Sequence, residues 1–290
     1  MTRDDVLNTY RYLRIAMPLL LFMLLTSVVI QIYSSNPDCW QLSVSAYYYT
    51  AARAVFVGSL IAVGVCLIVY RGNTDVEDVA LNIAGFLAIV VALVPTVVDE
   101  TCTASNVPSP TELTRAVNNN VTALIVTGGV VMVLLWWFRS RVAASSRVGT
   151  LALWPLLVST IGLIAFAVVF AVWPSWVQAH GHSIAAIALF VMIIIVVLIN
   201  AVGLARTSQD NPPRKAYVNR YLWIAIAMLV SFVVIVGAHL VSSSFTLWFF
   251  WLEAVLLVEF AVFWVVQTVE LWDRVQRDPT PAPPPPAFQG

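Results

Sequence analysis

The chain has 290 residues, 60% of them hydrophobic and 10% charged, and its 15 basic and 15 acidic side chains cancel to zero net charge. Soluble domains carry roughly a quarter of their residues as charges, so water is excluded as the main solvent. Nucleic-acid, nucleotide and serine-nucleophile functions are unsupported too, because there is no basic excess, no glycine-rich phosphate loop and no nucleophile elbow.

Crossing about 30 Å of hydrocarbon takes roughly 20 helical residues. Eight apolar runs of about that length predict membrane spans at 15–33, 51–70, 79–98, 121–138, 151–173, 183–202, 221–241 and 247–269. The runs are continuously apolar, whereas barrel strands alternate, so the expected class is an all-α polytopic helix bundle. It divides into a short charged anchor at 1–14, a transmembrane domain at 15–269 and a proline-rich, disordered tail at 270–290. The first run is expected to be retained rather than cleaved as a signal peptide, because Asp4 and Asp5 precede it and no small-x-small site follows before Asn36-Pro37.

Basic residues orient the spans. With the N-terminus inside, the inner segments hold Arg3, Arg11, Arg14, Arg71, Arg139, Arg141, Arg147, Arg206, Arg214, Lys215, Arg220, Arg274 and Arg277, while Arg53 and Arg115 face outward. Short loops obey the positive-inside bias, which predicts an even number of spans and both termini in the cytoplasm.

In chain order, the first outer segment carries Cys39 and then Tyr47, Tyr48 and Tyr49, which suit an interfacial belt, before Arg53 opens the second span. Pro95 is expected to kink the third span one turn before Asp99. Cys39 and Cys102 both fall on the oxidising side and are a candidate disulfide, the alternative being two free thiols. His180 and His182 stand where the sixth span begins, and His239 lies in the last turn of the seventh. Glu253 is two turns into the eighth span and Glu259 lies near its middle, about 240° around the helix from Glu253, so the two need different partners. Glu253 is expected to meet His239 or Arg53; Glu259 is expected to carry a proton and bond a neighbouring helix.

An ionisable group at membrane depth is a functional candidate by default. In one reading Arg53, Asp99, His180 or His182, His239 and Glu253, with Ser45 and Tyr49 close by, line an outward-facing pocket for a lipid or small anion. In a second, His180, His182, His239 and Asp99 hold zinc and activate water. In a third these groups only bond helices together, with no ligand and no cofactor, and Pro95 with Glu259 leaves room for proton-coupled transport.

The motif Ser43-x-Ser45-x-Tyr47-Tyr48-x-Thr50-x-x-Arg53-x-x-Phe56-Val57-Gly58, with 91–96, His182-Ser183-x-Ala185-Ala186 and Glu253, resembles a group of bacterial multi-pass proteins of unassigned activity. That resemblance implies a bacterial inner membrane. The order of Ser45, Asp99 and the three histidines is distantly similar to the superfamily of alkaline ceramidases and adiponectin receptors, which implies a zinc hydrolase of lipid amide or ester bonds. Tyr49 stands where that pattern has a histidine, and Glu253 and Glu259 stand where its last helix has paired histidines.

Overall fold

The computed structural model describes residues 3–34, 40–97, 107–143, 153–207, 212–242 and 244–277. Among them the chain forms α1 (Arg3–Ser34), a short 3-10 helix (Ser45–Tyr49), α2 (Arg53–Val69), α3 (Asp75–Leu93), α4 (Pro110–Ala143), α5 (Leu153–Val172), α6 (Pro174–Thr207), α7 (Pro212–Val241) and α8 (Trp248–Glu270). No strand occurs among the described residues. Seven of these helices are long and apolar enough to cross a membrane, and α2, at 17 residues, is shorter.

Several boundaries differ from expectation, each for a local reason. The third span does not kink at Pro95; α3 ends at Leu93, and Val94 adopts an extended conformation because the residue before proline is pushed out of the helical region. Asp99, Cys39 and Cys102 lie outside the described residues. Helix α6 starts at Pro174, where the fixed proline backbone suits a first helical turn, so His180 and His182 sit inside the helix rather than ahead of it. Residues 3–14 form the first turns of α1 rather than a separate anchor. At the start of α3, Thr74 caps the helix by accepting from the Glu77 amide at 3.2 Å.

Six helices close a ring: α1 packs on α2, α2 on α3, α3 on α6, α6 on α7, α7 on α8, and α8 back on α1. Helices α4 and α5 pack on each other and against α3 and α6, outside that ring. Where α2 crosses α3, a Cβ on Gly64 would lie 2.6 Å from the Gly85 carbonyl oxygen. Only glycine at both positions permits this approach, which is how helices gain dispersion contact where hydrocarbon gives no hydrophobic push. The ring interior is filled by Leu24, Leu60, Leu67, Met228, Phe260, Phe263 and Trp264, all at most 5% exposed. It is a packed core, not a pore.

Each end of the ring is crossed by a non-membrane segment. At the end where α1 begins and α8 finishes, residues 271–277 form a strap, pinned because Arg14 donates to the carbonyls of Leu271, Arg274 and Val275. Buried Arg14 thereby caps the carboxyl end of α8, where a cation also complements the helix dipole. At the opposite, loop end the 3-10 helix plugs the ring.

Candidate functional site

The plug exists because Ser43 and Thr50 satisfy backbone groups locally: the Ala46 amide donates to Ser43 Oγ at 2.9 Å, and Thr50 Oγ1 donates to the Tyr47 carbonyl at 2.8 Å. This turns the chain inward and buries all three tyrosines, at 1%, 3% and 8% exposure, where an interfacial belt was expected. Their aromatic area is part of the packed core, with Tyr47 against Phe250 of α8 and Tyr48 against Tyr49. Burial, reinforced by the neighbouring Tyr48 and countered by Arg53, pushes the Tyr49 phenol up to about 12. Its hydroxyl donates to the Thr96 carbonyl at 2.6 Å, tying the plug to the end of α3.

Beneath the plug, Ser45 meets Glu253. Ser45 Oγ donates to Glu253 Oε1 at 2.8 Å and the Ser45 amide donates to Oε2 at 3.1 Å, so one residue of the plug grips both oxygens of a carboxylate on α8. Glu253 is 3% exposed. On α8 it belongs to the stripe Glu253, Leu256, Leu257, Phe260, Phe263, Trp264 and Gln267, whose i, i+3, i+4 spacing turns it to the ring interior. The pair borders a cavity of about 30 Å³ lined otherwise by Leu24, Val44, Phe56, Leu60, Val91, Ala186, Leu189, Phe190 and Leu257. One water needs about 10–15 Å³ by this measure, so the space is water-sized and, apart from Ser45 and Glu253, apolar.

The other candidates disperse. Arg53 does not reach Glu253: it is exposed, its Nη2 donates to the Tyr48 hydroxyl at 2.7 Å, and its guanidinium lies 4.3 Å from that ring's centroid. His239 does not reach Glu253 either; it stacks on Trp248 with centroids 4.6 Å apart. His180 is exposed and stacks on Trp176, while His182 is buried with Nδ1 2.7 Å from the Val94 carbonyl oxygen. His182 lies one turn from Ala186 of the cavity wall, and its Nε2 has no partner. Glu259 accepts from Ser231 on α7 at 2.8 Å, a different neighbour from that of Glu253, as their angular separation requires. Among the described residues no three His, Cys, Asp or Glu side chains gather to hold a metal, so the described part of the zinc set does not fit that ion.

A second buried polar group lies at the strap end. Glu77, Asn200, Gln267, Tyr221, Glu270 and Arg277 form one hydrogen-bonded network across α3, α6, α7, α8 and the strap. The sequence reading passed over it, placing Glu77 in a connector and Glu270 and Arg277 in a disordered tail, whereas Glu270 ends α8 and 271–277 fold back over the ring as the strap. The readable signal was Asn200 and Gln267, amides inside otherwise apolar runs.

The chain matches no known protein family, no curated protein and no solved structure. A buried carboxylate with one hydroxyl and amide donor, against a water-sized apolar space, offers too few oxygens to coordinate a metal cation and no positive charge for an anion. What it can do is gain and lose a proton.

Proposed function

We propose that the protein is a proton-responsive membrane carrier in which Glu253 is the protonation site and the Ser45–Tyr49 plug is the element it controls. The observation that carries this reading is the grip of Ser45 on both Glu253 oxygens at the mouth of a closed ring. Ionised, the carboxylate accepts the Ser45 hydroxyl and amide and holds the plug down. Protonated, it loses acceptor strength and charge-assisted bonding, and the plug is released. In this reading all eight helices cross the membrane, α2 using its 17 residues near the short limit for a span, with the strap end cytoplasmic, as the distribution of basic side chains suggests, and the membrane a bacterial inner one, as the resemblance suggests. In vesicles carrying an entrapped pH-sensitive dye, the wild-type chain should dissipate an imposed pH gradient. Glu253→Gln mimics the protonated acid and leaves the plug released, but it can neither pick up nor give off a proton, so it should stop the proton flux while leaving the thermal midpoint within a few degrees. Equal flux through Glu253→Gln would remove the proposal.

A second reading, lipid binding, has its own support. A groove of about 450 Å³ between α1 and α2, lined by Phe22, Met23, Thr26, Ser27, Ile30 and Val55, is apolar and of acyl-chain size. Filling it with Ser27→Trp should lower the amount of lipid that co-purifies, read by mass spectrometry, if a lipid tail occupies it.

A further inference from the structure

The strap end of the ring is organised around one side chain that no helix carries. Arg277 donates from Nε and Nη2 to Glu270 at 2.8 and 2.7 Å, and from Nη1 to Asn200 Oδ1 at 2.8 Å. Asn200 Oδ1 also accepts from Gln267 at 3.2 Å, and Asn200 Nδ2 donates to Glu77 Oε1 at 2.9 Å. Glu77, Asn200 and Gln267 are at most 1% exposed, and Gln267 Oε1 has no partner. These acceptors stand on α3, α6 and α8, fixed by the ring. The cation they surround hangs on the strap, attached elsewhere by the Arg14 bonds, by Gln276 Nε2 to the Gly72 carbonyl at 2.7 Å, and by the Arg277 amide to Asn73 Oδ1 at 2.9 Å.

Buried carboxylates and carbonyl oxygens require a cation or donors to offset their desolvation, but nothing requires that cation to be covalently tethered. Buried Arg14 directs its donors to Tyr70 and to backbone carbonyls, so the guanidinium at this cluster is that of Arg277, bonded directly to Glu270 and Asn200, with Glu77 behind Asn200, accepting from it and from Asn73, and with the Gln267 amide oxygen bare.

We propose that the Glu77–Asn200–Gln267–Glu270 cluster is a cation site of the ring and that Arg277 is its built-in occupant, which must withdraw with the strap before a free guanidinium- or ammonium-type cation enters. This site is at the mouth opposite Glu253, and its test reads binding without flux, so failure of the proton reading leaves it standing. The probe is methylguanidinium, added at millimolar concentration to the detergent-solubilised full chain, with potassium chloride at equal ionic strength as the comparison. In Arg277→Ala the unfolding midpoint should rise saturably with methylguanidinium. In the wild-type chain, where the tethered guanidinium fills the site, it should stay flat. A flat response in Arg277→Ala, or the same rise in both proteins, would overturn the proposal. Should Arg277→Ala fail to fold, Gln276→Ala loosens the strap while keeping the cluster and Arg277. Trypsin must take the Arg277 side chain into its own pocket to cut the bond that follows it, so methylguanidinium should speed that cut about tenfold in Gln276→Ala, equivalent to a tenfold shift in strap occupancy. An unchanged rate would overturn the proposal equally.

Discussion

At the scale of single residues, the buried hydroxyls and acids of this chain are defined by who accepts from whom. Tyr70, just past the end of α2, shows it: burial pushes its phenol up to about 12 against the opposing pull of the Arg14 guanidinium, whose Nε donates to its oxygen at 3.2 Å. Tyr49 at the other end is pushed up to about 12 as well. Both phenols keep their protons in the folded chain above pH 10.0, the ordinary value, whereas the unfolded chain loses them there. The linkage therefore gives full stability below about pH 10 and a progressive loss as pH rises toward 12. Thermal unfolding in detergent should show a midpoint flat to pH 9 and falling between 10 and 12, with a shallower fall in Tyr70→Phe. A midpoint independent of pH across that window would contradict the burial argument.

Helix pairs raise a different question, since hydrocarbon outside the bundle is as apolar as the side chains within it. What remains is close packing and hydrogen bonding. The α2–α3 crossing relies on the first: Gly64 and Gly85 each lie where the other's carbonyl would meet an added Cβ. Gly85→Ala should therefore destabilise by about 2 kcal/mol or more, the upper range for overpacking, because backbone rather than a flexible side chain must move. Gly58, on α2 with Gly64, has open space around its absent Cβ, so Gly58→Ala should be neutral or raise the midpoint through helix propensity. Comparable losses from both substitutions, measured by thermal unfolding, would show that propensity and not the crossing governs. Helix α8 relies on both packing and hydrogen bonding: its ring-facing stripe begins with Glu253 holding the plug and ends with Gln267 in the strap network, about 21 Å apart along the axis.

For the whole molecule, the closed ring with one segment across each mouth means that any passage along its axis needs the plug and the strap to move. Orientation is testable independently of activity. With the natural cysteines replaced, a cysteine at exposed Tyr33, near the loop end, should react with a membrane-impermeant maleimide added outside intact cells, and one at exposed Asp273, on the strap, should react only after lysis. The reverse pattern would invert the proposed threading.

The amino-acid sequence by itself determined the class, because continuous apolar runs of about 20 residues have no stable state except helices in lipid, and it determined that Glu253 and Glu259 face different neighbours, because helical periodicity is a local property. It also named Ser45 and Tyr49 among the candidates; Ser45 is set against Glu253, and Tyr49 bonds the Thr96 carbonyl instead. Which helices neighbour one another is not local. That α8 closes on α1, that the tyrosines fold inward instead of lying at an interface, and that Arg53 stacks on Tyr48 rather than reaching Glu253 depend on long-range packing, which no spacing encodes. The strap network is the clearest case: Glu77 and Arg277 are 200 residues apart in the chain and meet through Asn200 only because the ring closes and brings three helix ends to one mouth.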